Sequence, residues 1–221
     1  VWRVSRDDGQ SQSTPVVWTD GTGGQTLLVV VAERSVRALE ARTGKLVWKF
    51  AQKVKMASAS PAIAGDVVIS SAGDDVRALR ASSTGDISLA AGQTNNAGVI
   101  WSAEGGGALI PSPLRLGDYV FVLGDGGVLT AYDLRTGRQM SRRRAGVGEF
   151  CASPVSADGK IYVFSNDGEA TVLRIAPTLE VIARSQMGET TQATPAIADG
   201  TLYVRTAGHL IALRESASAP R

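Results

Sequence analysis

The chain has 221 residues, 43% hydrophobic and 20% charged, with 23 Lys plus Arg against 21 Asp plus Glu for a net charge of +2. That is enough apolar material to build a packed core, which excludes a disordered chain, and the near-neutral balance excludes a polyanion-binding surface spread over the whole molecule. The single cysteine, Cys151, excludes an internal disulfide, and no apolar run reaches the length of about 18 residues that a membrane-spanning helix needs.

In chain order, "VWRV" at 1–4 reads as the last strand of a unit that begins upstream. "STPVV" opens the next strand at Pro15, the Gly-rich "TDGTGGQ" is a loop, and "TLLVVVA" and "VRALEA" are a second and third strand. Thr43-Gly44 then makes a tight turn into "KLVWKF", a fourth strand carrying Trp48. β-Branched, apolar runs broken by Gly, Asp and Thr-Gly steps are the sequence form of antiparallel hairpins.

The pattern returns four times. "ASPAI", "VVISS" and "VRALRA" lead to Thr84-Gly85, and Trp101 follows only after an insertion, "LAAGQTNNAG". "PSPLR", "YVFVLG" and "VLTAYDL" lead to Thr136-Gly137, with Met140 near the place of a Trp. "ASPVS", "IYVFS" and "ATVLRI" lead to a turn with Leu179 in place of Gly, and "ATPAI", "LYVRT" and "HLIALR" run into "ESASAPR". Asp-Gly steps at Asp125-Gly126, Asp158-Gly159, Asp167-Gly168 and Asp199-Gly200 suit hairpin turns, because Gly accepts positive φ freely and Asp tolerates it.

The prolines after Ser or Thr, Pro15, Pro61, Pro113, Pro154 and Pro195, recur at intervals of 46, 52, 41 and 41 residues, and the excess over 41 falls in loops. A four-stranded unit at this period predicts an all-β fold, a β-propeller of four-stranded antiparallel blades. About five blades are expected, as an arc of a seven- or eight-bladed ring. The expected division of a single domain, 1–221, is the end of a preceding blade at 1–12, blades at 13–57, 58–110, 111–151 and 152–192, a partial blade at 193–215 and a tail at 216–221. In the competing arrangement residues 1–4 pair with 209–214 and close a five-bladed ring.

"ALEARTGKLVW" at 38–48, with echoes in "ALRASSTGDI" and "AYDLRTGRQM", resembles the Ala-x-Asp-x-x-Thr-Gly-Lys-x-x-Trp repeat of the PQQ-like β-propellers, the pyrroloquinoline-quinone-repeat superfamily. The order of Ser-Pro openings and the closing "HLIAL" is similar to planctomycete-type PQQ-binding-like repeat proteins. The resemblance implies that the Trp of one blade docks on the Thr-Gly turn of a neighbour. The structural motif residues are then Trp2, Thr43, Gly44, Trp48, Thr84, Gly85, Trp101, Thr136 and Gly137. It also implies an extracytoplasmic address, periplasmic or secreted.

No catalytic, cofactor-binding or metal-binding residue is assigned from the sequence. The family's quinoprotein dehydrogenases use an adjacent disulfide-bonded cysteine pair and a calcium ion beside PQQ, and a chain with one Cys and no matching carboxylate and amide set disfavours both PQQ and calcium. His209, the only histidine, reads as a solvated turn residue, Cys151 as a small buried side chain, and Asp125 and Asp167 as turn formers. Arg142-Arg143-Arg144 lacks interleaved aromatics and reads as a solvated strand edge, so no nucleic acid is expected. The functional expectation is a non-catalytic module for protein–protein interaction or scaffolding, with an unknown protein partner and the loops 19–26 and 86–100 as binding surface. The alternative is a fragment of a PQQ-dependent quinoprotein dehydrogenase whose catalytic residues lie outside these residues.

Overall fold

The computed structural model describes residues 1–175 and 178–215, and the elements it contains there are twenty β-strands in five sheets. Blade 1 comprises β1 (Val16–Thr19), β2 (Thr26–Val31), β3 (Ser35–Glu40) and β4 (Leu46–Ala51). Blade 2 comprises β5 (Ala62–Ala64), β6 (Val67–Ala72), β7 (Asp75–Arg80) and β9 (Val99–Ala103), with β8 (Gly85–Asp86) leaving it to join blade 1. Blade 3 holds β10 (Leu114–Leu116), β11 (Tyr119–Leu123), β12 (Val128–Asp133) and β13 (Gln139–Arg144). Blade 4 holds β14 (Val155–Ala157), β15 (Lys160–Phe164), β16 (Glu169–Arg174) and β17 (Glu180–Gln186), and blade 5 has three strands, β18 (Ala196–Ala198), β19 (Thr201–Arg205) and β20 (Leu210–Arg214).

Within each blade the strands follow chain order as an antiparallel meander, so the local turn chemistry decides the topology. Asp158-Gly159 and Asp199-Gly200 both sit in the left-handed region at both residues, φ 50° and 69° in each case. Two successive positive φ values give a turn whose twist matches that of the flanking strands. The third and fourth strands of blades 1 to 4 share one irregularity, a register shift at Ala38/Leu39, Ala78/Leu79, Ala131/Tyr132 and Val172/Leu173. An extra residue at that point increases the local twist, and it fixes which fourth-strand side chain faces the next blade.

A single blade is one sheet thick and cannot cover its own apolar faces, so the core lies between blades. Trp18, Val29, Trp48 and Phe50 of blade 1 pack with Val68, Leu79, Ile87 and Val99 of blade 2. Ile69, Val76 and Trp101 meet Val120, Val122 and Tyr132 between blades 2 and 3, and Phe121, Leu123, Leu129 and Phe150 meet Ile161, Val163 and Leu173 between blades 3 and 4. Between blades 4 and 5 the buried layer shrinks to Ala152, Phe164, Ala170 and Val204. Beside it a cleft of about 350 Å³ opens, lined by Tyr162, Met187, Ile197, Leu202 and Leu213.

The Ser-Pro and Thr-Pro steps have a shared purpose. The amide of Thr14 donates to Ser60 Oγ at 2.8 Å, that of Ser60 to Ser112 Oγ at 2.9 Å, that of Ser112 to Ser153 Oγ at 2.9 Å, and that of Ser153 to Thr194 Oγ1 at 3.0 Å. In each of blades 2 to 5 one hydroxyl accepts from the blade before it, which strings all five along the inner strands. Pro next in sequence holds the Ser or Thr extended, leaving its amide free to point across the junction.

Blade 2 also reaches backwards. The segment 81–98 runs out along blade 1, where β8 pairs in parallel with β4, Trp48 opposite Gly85 and Lys49 opposite Asp86. Asn96 closes the excursion: its Oδ1 accepts from the Gly98 and Val99 amides, and its Nδ2 donates to the Ile87 and Ser88 carbonyls. At the other end of the molecule, residues 1–4 form no strand pairing or hydrogen bond with residues 209–214 among the described residues. The blades form an arc, not a ring closed by those two segments. Residues 5–13 are strapped to blade 1 through Asp8, which is buried, accepts from Ser35 Oγ at 2.8 Å and pairs with Arg37 at 2.5 Å.

Candidate interaction site

The residues marked by the repeat lie at the junctions between blades. Trp48 of β4 is completely buried, and its indole Nε1 donates to the Ala81 carbonyl of blade 2 at 2.8 Å. Trp101 of β9 donates to the Leu134 carbonyl of blade 3 at 2.8 Å, and Trp2 to the Ala41 carbonyl of blade 1 at 3.0 Å. Two of these rings lie on turn glycines. A Cβ at Gly44 would come 2.5 Å from Trp2, and one at Gly137 2.5 Å from Trp101. A further indole that the repeat does not mark, Trp18 of β1, donates to the Gly65 carbonyl of blade 2 at 2.8 Å; its place in the apolar first strand Val16–Thr19 was the only signal of it.

The Thr43-Gly44 and Thr136-Gly137 turns are each held by a carboxylate three residues before the Thr. The Thr43 hydroxyl and amide both donate to Glu40, and those of Thr136 to Asp133 at 2.6 and 2.7 Å. The Thr43 hydroxyl and the Arg42 amide hold the Glu40 carboxyl below its usual range, and the Thr136 hydroxyl and amide do the same for Asp133. The turn therefore presents its backbone carbonyls to the incoming Trp in a fixed position.

Three positions depart from the expected pattern. Thr84-Gly85 does not close a tight hairpin: Gly85 lies in β8 against Trp48, and a Cβ there would meet nothing within 4 Å. The long 81–98 connection, not a two-residue turn, joins the third and fourth strands of blade 2, so Trp48 docks on Ala81 at its start. In blade 3 the register places Ser141, not Met140, opposite Ala131, where Trp48 stands opposite Ala38. Ser141 Oγ accepts from the amide of Leu179, whose buried side chain joins Met140 in the core between blades 3 and 4. Blade 4 has Ala183 at this position.

The two faces of the arc differ. The first-to-second and third-to-fourth connections lie on one face, which therefore carries both candidate loops. The Asp20–Gln25 loop is closed on itself by Asp20 N to Gln25 O at 3.0 Å and Thr22 Oγ1 to Asp20 at 2.9 Å, and the Gln25 amide is the chief cause of the lowered Asp20 carboxyl. The opposite face carries the crossovers between blades, each latched by a polar side chain on a second-to-third turn or on the crossover itself. Asp125 accepts from the Leu109 and Ile110 amides, and Asn166 accepts from the Cys151 amide at 3.0 Å. Glu189 accepts from the Thr206 hydroxyl, the Gly208 amide and the ring of His209. The Thr206 hydroxyl first, then that amide and the imidazole, bring the Glu189 carboxyl down to about 2.

Comparison with known proteins sets this architecture in a family. The family model described as "Outer membrane protein assembly factor BamB" matches residues 85–219. The chain belongs to this family of PQQ-like β-propellers. BamB from Moraxella catarrhalis superposes with a TM-score of 0.68 at 18% identity, over 95% of this chain and 60% of that one. The computationally designed protein Ika8 gives 0.68 at 13% identity over 86% and 55%, and the designed Ika4 gives 0.61 at 11% over 78% and 99%. The chain thus spans about 60% of the Moraxella BamB chain, and at these identities the likeness is one of fold. Comparison with curated proteins gives no match. No helix among the described residues is long and apolar enough to cross a membrane.

The docking geometry sets three expectations. Trp48→Ala should cost about 3–5 kcal/mol in urea unfolding, the range for removing a large buried aromatic. Gly137→Ala, strained at φ +71° and driven into Trp101, should cost about 2–4 kcal/mol, and Gly85→Ala, at φ +77° but in open space, only about 1–2 kcal/mol; equal costs would remove the distinction between the two turns. The folded carboxyl of Glu189 lies near 2 against an ordinary 4.5, so its stabilisation is present in full above pH about 4.5 and is lost as pH falls towards 2. The difference in melting temperature between wild type and Glu189→Gln should accordingly be constant near neutrality and close across that acid range.

Proposed function

We propose that this chain is a non-catalytic propeller module that scaffolds protein–protein interaction outside the cytoplasm. One observation carries the reading: the polar side chains that could do chemistry are spent on architecture. Glu40 and Asp133 hold turns, Asp125, Asn166 and Glu189 latch crossovers, and Thr14, Ser60, Ser112, Ser153 and Thr194 join blades. What remains for function is a rigid arc with exposed rims and turns, the arrangement that suits binding by surface. Membership of the BamB-described family supports both the scaffold role and the address.

The donor set does not fit the family's quinone cofactor. Cys151 is the only thiol, and its sulfur accepts from Asn166 Nδ2 at 3.4 Å. No group of three His, Cys, Asp or Glu side chains is placed to hold a metal ion among the described residues. Titration with PQQ and calcium, followed by calorimetry, should therefore show no calcium-dependent binding at micromolar concentration. Such binding would replace the scaffold reading with that of a dehydrogenase fragment.

A further inference from the structure

The outer rims of the blades are finished differently. On blade 1 the outermost strand β4 is covered by β8: the Lys49 carbonyl accepts from the Ile87 amide at 2.9 Å, the Ala51 amide donates to Ser88 Oγ at 2.8 Å, and Asp86 stands beside Lys49 in the parallel ladder. The backbone groups of Lys49 and Ala51 are therefore the ones turned outward. On blade 3 the outermost strand β13 has no strand beyond it among the described residues.

The register makes the two rims directly comparable. With Ser141 of β13 in the place of Trp48, Arg142 holds the place of Lys49 and Arg144 that of Ala51. Blade 4 has Arg184 at the same position. Two of these three cations have a carboxylate at hand: Lys49 has Asp86, and Arg184 pairs with Glu169 at 2.5 Å. Arg142 is exposed and in no ion pair among the described residues, and the same holds for Arg135, Arg138, Arg143 and Arg144 around it. Arg144 is anchored instead to the Gly126 and Gly146 carbonyls. In a chain of net charge +2, five arginines within ten residues without a paired carboxylate are a concentrated demand for negative charge.

We infer that the outer edge of blade 3 is a docking edge for an acidic, extended segment of a partner protein, which adds to β13 as a parallel strand and supplies the carboxylate that Arg142 lacks. The blade 1 rim is the internal template: it shows that this edge geometry accepts a parallel strand and that an Asp falls beside the cation. Strand addition gives affinity through the backbone and selectivity through alternate side chains. The inference rests on the scaffold reading but fails separately from it, since PQQ binding would overturn that reading and leaves the peptide measurement below unaffected.

The probe is a fluorescein-labelled peptide reproducing residues 84–90 with Ser88→Asp and Ala90→Asp, which sets three carboxylates on one side of a strand. Saturable binding to the whole chain is expected by fluorescence anisotropy. Arg142→Glu should weaken it about tenfold and Arg142→Lys should largely restore it, whereas Arg143→Glu, with the same change of charge on the other side of the sheet, should weaken it less than about threefold. N-methylation of the peptide amide at position 87 should also cost about tenfold, because that amide is the donor to the edge carbonyl. Absence of saturable binding, equal losses from the two charge reversals, or indifference to N-methylation would overturn the inference. So would displacement of the peptide by phosphatidylglycerol vesicles or by a single-stranded oligonucleotide with equal sensitivity to both charge reversals, which marks a diffuse basic patch. Coincident thermal melts of wild type and variants establish that these exposed substitutions leave the fold intact.

Discussion

The constraint behind the whole molecule is that a twisted four-stranded sheet has two apolar faces and only its neighbours to cover them. Burial, hydrogen bonding and turn geometry all answer to this. The indole of a fourth strand crosses the junction to a carbonyl of the next blade, the Ser or Thr before the inner strand of blades 2 to 5 accepts an amide from the blade before, and crossovers are latched to the turns that they pass by a polar side chain of one or the other. None of these contacts is internal to a blade. Stability is accordingly a sum of junctions, and the junctions are unequal. Those of blades 1 to 3 contain a buried Trp, the next is filled by Leu179 and its neighbours, and the last holds a thin layer beside an open cleft.

Much of the fold was legible in the residues because the strands here are made by local chemistry. Runs such as "TLLVVVA" and "YVFVLG" between Asp-Gly, Gly-Asp and Thr-Gly steps specify hairpins within a few residues of chain, and the 41-residue spacing of the prolines reports the repeat. What the spacing does not carry is anything decided across a junction. Ser112 and Ser153 were visible as markers, yet that an amide of one blade meets the hydroxyl of the next requires both blades. The same holds for β8: two residues, Gly85 and Asp86, leave their own sheet for the edge of another, and a Thr-Gly pair identical in type to Thr43-Gly44 hides the change. Ser141 was within reach of counting, since it follows Thr136 by five residues as Trp48 follows Thr43, and Met140 is only its neighbour; what needed the folded chain is that Ser141 there meets the Leu179 amide.

The latches were illegible for a different reason. Asp125 and Glu189 are ordinary turn and loop residues in sequence, and only the folded crossover shows which amides they accept. They also explain why a turn carboxylate in this chain reads so easily as a candidate ligand: its oxygens converge on a small space, but the occupants are backbone N–H groups of the protein itself.

The hydroxyl chain along the inner strands has a property that reaches beyond this chain. Its three middle members, Ser60, Ser112 and Ser153, each present an acceptor to one neighbour and a donor to the other, so each is both socket and plug, and none is specific to its place in the order. A 41-residue unit inserted at any point would find both connections already waiting. Such a motif imposes no count of blades, and it leaves lengthening or shortening by whole units open to gene duplication, with the ends, not the middle, deciding where growth stops.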